Sequence, residues 1–261
     1  MPEFQTIQCD WFEPIATLTL MRPQALNALS AAMLNELDTA FERLRSRPGI
    51  RVVLLTGSGE RAFAAGADIR ELLATDAATG AALSRRGQEI FAAIERCRKP
   101  VIACINGFAF GGGLELAMAC TLRIASETAQ LGLPEAKLGL IPGFGGIQRL
   151  VRLAGRGAAL KMMLTGQPVT AMEAHRIGLV DEVVAPLQLL ARSQELAGQI
   201  ALLAPLAIQA ILEAVARQEN LGGDAGFLVE SELFGRLCGT ADKLEGLSAF
   251  LDKRHPVWRS Q

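Results

Sequence analysis

Residues 99–120 read KPVIACINGFAFGGGLELAMAC, and the fold turns on how this stretch divides. Val101-Ile102-Ala103-Cys104-Ile105, entered through Lys99-Pro100, is a short apolar run and predicts a strand. Leu114 to Cys120 predicts a helix. Between them, Gly111-Gly112-Gly113 lets the backbone approach a ligand closely, and the helix N-terminus aims free N–H groups at it. Such a turn suits an anionic oxygen, whether a phosphate or a developing enolate. The same glycines would equally serve a tight turn or a close helix–strand contact.

Glu115 adds weight to the first alternative. Thiols aside, it is the one ionisable acid or base between Lys99 and Arg123. A Glu in a first helical turn is favoured by the dipole, yet a solvated one keeps polar company. This one has Leu114, Leu116, Ala117 and Met118. A desolvated carboxylate near an anion hole is suited to acid–base work. A second carboxylate, Glu135, comes after Leu131-Gly132-Leu133-Pro134; alone, it reads as the first turn of a helix. In Phe63-Ala64-Ala65-Gly66-Ala67-Asp68-Ile69 small residues again allow close approach, with Asp68 the expected N-cap of a helix beginning at Ile69.

Outward from this centre the first half alternates. Ile15 to Leu20 predicts a strand ending at Arg22-Pro23, and Ser30 opens a helix carrying Met33, Leu34, Leu37, Phe41 and Leu44. Pro48-Gly49 stops it, and Arg51 to Thr56 is a strand ending in Gly57-Ser58-Gly59. A helix over Gly80–Cys97 precedes the central stretch, and a strand over Leu122–Ser126 comes after it. Beyond about residue 145 the β signals nearly vanish. Helices are expected near 145–153, 156–164, 170–176, 186–203, 205–219, 225–237 and 240–251. Strand–helix alternation and then helices alone predict an α/β core with a helical C-terminal portion. Those Leu- and Ala-rich helices need a surface to pack on, such as another subunit.

Composition narrows the classes further. Of 261 residues half are apolar, and 26 basic side chains against 27 acidic give a net charge of −1. That balance offers no footprint for nucleic acid or a membrane surface, and the composition excludes a disordered or collagen-like chain. His175 and His255 lie eighty positions apart, and there is no C-x-x-C or H-E-x-x-H, so no metal site is expected. Nor is there a nucleophile elbow, a phosphate loop or a dinucleotide fingerprint. Gly143-Phe144-Gly145-Gly146 matches the last only in part. Five cysteines, Cys9, Cys97, Cys104, Cys120 and Cys238, read as reduced thiols of a cytoplasmic protein. Glu3 and the lack of a basic-then-apolar start argue against a signal peptide. Glycines, Asn106 and Glu115 within Pro100–Leu122 argue against a membrane span.

Taken together, RPQALNAL (Arg22–Leu29), AFAAGADI (Ala62–Ile69), the 99–120 stretch, LGLPEAKLGLIPGFGGIQRL (Leu131–Leu150) and SAFLDKR (Ser248–Arg254) resemble the enoyl-CoA hydratase/isomerase (crotonase) family. The resemblance implies a spiral of repeated ββα units over residues 1–195. It implies a helical region over 196–261 that packs on the core and on a neighbouring subunit. It further implies a homo-oligomer, either a trimer or a dimer of trimers.

The resemblance also implies roles. The backbone N–H groups of Ala67 and Gly112 would form an oxyanion hole for the thioester oxygen of an acyl-CoA, each typically worth about 3–4 kcal/mol in the transition state. Ala65, Asp68 and Ile69 would line the CoA site, with Phe250 and Lys253 closing it. Glu115 would activate water and Glu135 would protonate Cα, giving hydration of trans-2-enoyl-CoA to (3S)-3-hydroxyacyl-CoA. No metal or redox cofactor is implied; the CoA thioester is itself the substrate. The rival within the family is a Δ3,Δ2-enoyl-CoA isomerase, which needs one proton shuttle. A non-catalytic acyl-CoA-binding member is the other alternative, and the two retained glutamates weigh against it. An RNA-binding role has only the Arg85-Arg86 pair, a solvated helix face. Acyl-chain preference would depend on Glu71–Arg86, where Thr75–Ala82 is expected to be loosely ordered.

Overall fold

The computed structural model describes residues 4–218 and 224–261. Glu3 and residue 219, the last of the expected 205–219 helix, lie outside them. Ten strands are described: β1 (Ile7–Phe12), β2 (Ile15–Leu20), β3 (Val52–Gly57), β4 (Ala62–Ala65), β5 (Val101–Ile105), β6 (Phe108–Phe110), β7 (Leu122–Ser126), β8 (Gln130–Gly132), β9 (Val169–Thr170) and β10 (Glu182–Val184). The helices of the first half are α1 (Ala31–Arg45), α2 (Ile69–Leu73), α3 (Ala77–Glu95) and α4 (Gly112–Met118). Those of the second half are α5 (Gly146–Thr165), α6 (Ala171–Arg176), α7 (Leu189–Ala201), α8 (Pro205–Gln218), α9 (Ala225–Cys238) and α10 (Ala241–Leu251). Among the described residues no single helix is long and apolar enough to cross a membrane.

The strands form two sheets, ordered β1-β2-β3-β5-β7-β10 and β4-β6-β8-β9. The chain visits them in turn: β3 then β4, β5 then β6, β7 then β8, with a helix after each of the first two pairs. This is the ββα spiral the sequence motifs implied. Within the larger sheet β2, β3, β5, β7 and β10 run parallel, and only the β1–β2 hairpin is antiparallel. Parallel strands covered on both faces must be apolar throughout, and β3 and β5 are buried at every position. Val53, Leu55, Val101 and Ala103 join the main core with Phe41, Phe63 and Phe91. The alternate residues Val52, Leu54, Ile102 and Cys104 pack with Leu189 and Ala197 of α7. The 195/196 boundary expected from the sequence falls within that helix.

Several expectations need correction. Beyond residue 145, where the β signals nearly vanish, β9 and β10 still form, each of two or three residues, too short to carry a periodic pattern. β4, β6 and β8 are similarly short. β1 escaped notice because Gln8 and Asp10 interrupt its apolar run at the sheet edge. The helices expected over 145–153 and 156–164 form one run broken at Gly155 (φ 75°, ψ 159°). Most of Thr75–Ala82 is helical. Asp76 closes a capping box with Thr79, and α3 begins at Ala77, before the expected Gly80.

Two asparagines hold the turn between β3 and β4. Asn27, fully buried in the left-handed region (φ 55°), donates to the carbonyls of Ser58 and Ala62 and accepts from the Arg22 N–H and the Ser58 hydroxyl. Asn106 donates to Gly57 and Gly59. Asn27→Ala strips partners from several buried groups at once and is expected to cost on the order of 2–4 kcal/mol, read as a lower urea midpoint at unchanged m-value.

Candidate active site

Three parallel strands deliver the site. Ala65 of β4 stands opposite Phe110 of β6, and Phe110 stands opposite Gly132 of β8. Two residues past the first pair lie Ala67 and Gly112; three past Gly132 lies Glu135. The candidate groups therefore emerge together from the carboxyl ends of adjacent strands, where open α/β sheets bind ligands. Gly111 makes the sharp exit from β6 at φ 49°, and an ideal Cβ there would stand 2.8 Å from Glu135 Oε1. Gly113 lets α4 press onto β4: a Cβ would lie 2.0 Å from the Ala64 carbonyl oxygen.

The N–H groups of Ala67 and Gly112 have no protein acceptor among the described residues. Around Ala67 the chain is stitched by Leu29 N–H to Gly66 O (2.8 Å) and Asp68 N–H to Leu29 O (2.9 Å). Gly112 is the first residue of α4, where amides are free of helical partners.

Glu115, on α4, is 1% exposed. Its Oε1 accepts from the N–H of Phe144 (2.8 Å) and of Gly146 (2.7 Å). Burial pushes its carboxyl up to about 7; the Glu135 charge adds to this, while the two amides and Arg149 oppose it. Glu135 opens a short 3-10 turn, Glu135–Leu138, and burial raises its carboxyl too. Its Oε2 is buried without a hydrogen-bond partner. Burial thus raises both carboxyls above their ordinary range, and Glu115, at about 7, can accept or release a proton near neutrality.

The structure thus brings Ala65, Ala67, Gly112, Glu115 and Glu135 together. Asp68 is the N-cap of α2 as expected, accepting from Arg70 N–H (3.1 Å), and its carboxylate pairs with Arg22 at 2.9 Å. Ile69 is half exposed beside it. Phe250 is 80% exposed near the end of α10, and Lys253 lies just past that helix; neither makes a hydrogen bond or ion pair to the Glu115–Glu135 region among the described residues. Sequence reasoning missed Phe144 and Gly146 as the cradle of Glu115. Gly143-Phe144-Gly145-Gly146 resembled a phosphate-binding turn because it performs the same task, presenting amides at a helix N-terminus to an anion that here is a side chain.

Residues 12–261 match the model of the enoyl-CoA hydratase/isomerase family. The chain is 42% identical over 240 residues to a short-chain-enoyl-CoA hydratase of Clostridium acetobutylicum, covering 92% of each. It is 41% identical over 251 residues to a crotonyl-CoA hydratase of Syntrophomonas wolfei, covering 96% of each. The crystal structure of an enoyl-CoA hydratase from Bacillus anthracis superposes with a TM-score of 0.95 at 38% identity, covering 98% of this chain and all of that one. The protein is an α/β chain with the crotonase fold. It belongs to the enoyl-CoA hydratase/isomerase family.

The raised Glu115 carboxyl has a consequence for stability. A folded state that holds the proton more tightly than the unfolded chain loses stability as pH rises from about 4.5 through about 7. Glu115→Gln lacks this loss. Its unfolding free energy relative to the parent is therefore expected to grow by on the order of 3 kcal/mol between pH 4.5 and 8, measured by urea denaturation across that range.

Proposed function

We propose that this protein hydrates trans-2-enoyl-CoA thioesters to (3S)-3-hydroxyacyl-CoA, reversibly, with Glu115 and Glu135 as its acid–base pair. The observation that carries this reading is the asymmetry of the two carboxyls. Glu115 Oε1 receives two N–H bonds, which oppose the upward push of burial and leave its carboxyl, at about 7, able to act as a general base near neutrality. Glu135 Oε2 is buried with no donor, which favours the protonated form of a general acid. Glu115 takes a proton from water as its oxygen bonds to Cβ. The Cα–Cβ π electrons move into the thioester carbonyl, whose oxygen becomes an enolate held by the N–H groups of Ala67 and Gly112. Collapse of the enolate draws the Glu135 proton to Cα, so one water has added across the double bond. Proton exchange then resets the pair. The similarity to hydratases acting on crotonyl and other short-chain enoyl thioesters supports this substrate class.

On this reading Ala65, Asp68 and Ile69 line the CoA path, and the Arg22–Asp68 pair holds that segment in place. Phe250 and Lys253 serve a CoA site in a homo-oligomer, a trimer or a dimer of trimers, in a cytoplasmic protein. The exposed Phe227, Leu228 and Phe234 of α9, with Phe250 and Leu251 of α10, support association through the C-terminal helices.

Glu115→Gln and Glu135→Gln are each expected to lower kcat for crotonyl-CoA hydration by on the order of 10²–10⁴, with KM little changed and folding intact by circular dichroism. The double variant should be far less than multiplicatively worse, since the two act on one water. A single variant within about threefold of the parent would remove the paired mechanism; an isomerase would lose activity with only one of the two.

Gly112→Pro deletes one free N–H at a helix position that tolerates proline. It should leave a folded protein whose turnover falls by about 10²-fold or more. Near-parental turnover would take Gly112 out of the oxyanion hole.

A further inference from the structure

Arg149 and Glu95 have no role in the chemistry assigned above, yet their geometry leads to Glu115. Arg149, on the first turn of α5, is 6% exposed. Its Nε and Nη2 form a two-point fork with Glu95 of α3 at 2.9 and 2.7 Å. The remaining arm, Nη1, donates to the carbonyl oxygen of Phe144 at 2.8 Å. Phe144 is the residue whose N–H holds Glu115 Oε1. Its carbonyl and its amide are thus both pinned, one by a cation and one by an anion. Its ring is seated as well: it meets Phe91 edge-on at 5.6 Å, and it lies where a Cβ on Gly87 of α3 would collide with it at 2.2 Å. A surface fork of this kind contributes little. This one is nearly closed off on the Arg149 side, and its third bond goes to a loop carbonyl rather than to water.

We propose that Arg149, itself anchored by Glu95, is a positioning residue for Glu115: it fixes the 143–146 loop that cradles the carboxylate and supplies a compensating positive charge. The charged and titratable groups facing Glu115 are Glu135 from the turn after β8 and Arg149 from α5. Those around Arg149 are Glu95 from α3 and the buried Cys120 after α4, whose thiol stays protonated because burial pushes it up to about 12. The fork between Arg149 and Glu95 therefore sets how much positive charge Glu115 feels. The inference rests on Glu115 being catalytic only where activity is read.

The test is a titration of the Glu115 carboxyl itself by isotope-edited infrared spectroscopy, with Glu115→Gln identifying the band, beside pH profiles of kcat/KM for crotonyl-CoA. Arg149→Met removes the cation and should raise the Glu115 midpoint by about half to one pH unit. Glu95→Gln keeps a hydrogen bond to Arg149 but frees its charge, and should lower the midpoint by a similar amount. Arg149→Lys keeps charge without the fork; its midpoint should stay near the parent while kcat falls about tenfold or more at unchanged KM. Opposite shifts in the first two variants are what a structural role cannot produce, because a loosened loop would raise the midpoint in both. Should Arg149→Met fail to fold, Glu95→Gln alone decides. An unmoved or raised midpoint in Glu95→Gln overturns the proposal. Midpoints that move as expected while the kcat/KM profiles stay fixed support the positioning role and overturn the catalytic reading of Glu115.

Discussion

A carboxylate is buried in an apolar helix, and the chain must bring a second, distant segment to it to make that possible. Isolated ionised groups do not enter protein interiors unless partners replace water. For Glu115 the partners are two backbone amides from a loop about thirty residues downstream. That loop can present them only because Gly145, at φ 97°, turns it into the N-terminus of α5. An ideal Cβ at Gly146 would lie 2.6 Å from Glu115 Cγ, so a glycine there is required by the close approach of the carboxylate. The desolvation that remains uncompensated is what raises the Glu115 carboxyl and makes it a group that exchanges protons near neutrality.

The two sheets serve this arrangement. The larger one has central strands buried on both faces and supplies rigidity; the smaller one consists of strands barely long enough to pair. Three of its strands nonetheless run parallel and, past a bulge between Ala62 and Ala64, end in register, so the residues just beyond their carboxyl ends converge on one place. Such short strands gain little from their own ladders. They are held by the residues between the layers, Asn27 and Asn106 at the turn and Phe63 in the main core. Precision at the site is thus inherited from packing elsewhere.

This division explains what could be read from the sequence. Strands built on four or five consecutive apolar residues, such as Arg51–Thr56 and Val101–Ile105, announce themselves by composition, and helices with caps such as Ser30 and Asp68 announce their starts. Glu115 was legible because a lone charge in an apolar run is anomalous. Glu135 was not legible on its own, since a Pro-Glu pair opening a turn is ordinary; only the resemblance of the wider motifs gave it a role. The strands β4, β6, β8, β9 and β10 were hidden because pairing of two to four residues is decided by neighbours distant in sequence. Arg149 was hidden for a related reason. Nothing in a local pattern distinguishes an arginine that forks onto Glu95 and a loop carbonyl from one on a solvated helix face.

Natural chains satisfy nearly all buried polar groups, and departures from that rule gather where function needs them. Here the departures are few and local. Glu135 Oε2 is the one buried side-chain oxygen or nitrogen without a partner among the described residues. The amides of Ala67 and Gly112 emerge from strand ends paired in register, with no protein acceptor among those residues. Nearby, the Glu115 carboxyl is held by donors on one oxygen only. Two donors, an unfilled carboxyl oxygen and a half-held carboxylate are complementary to a ligand carrying a carbonyl acceptor and a transferable proton. A ligand of that kind would offset the cost of leaving these groups bare, and the stability they withdraw from the folded chain is what binding would return.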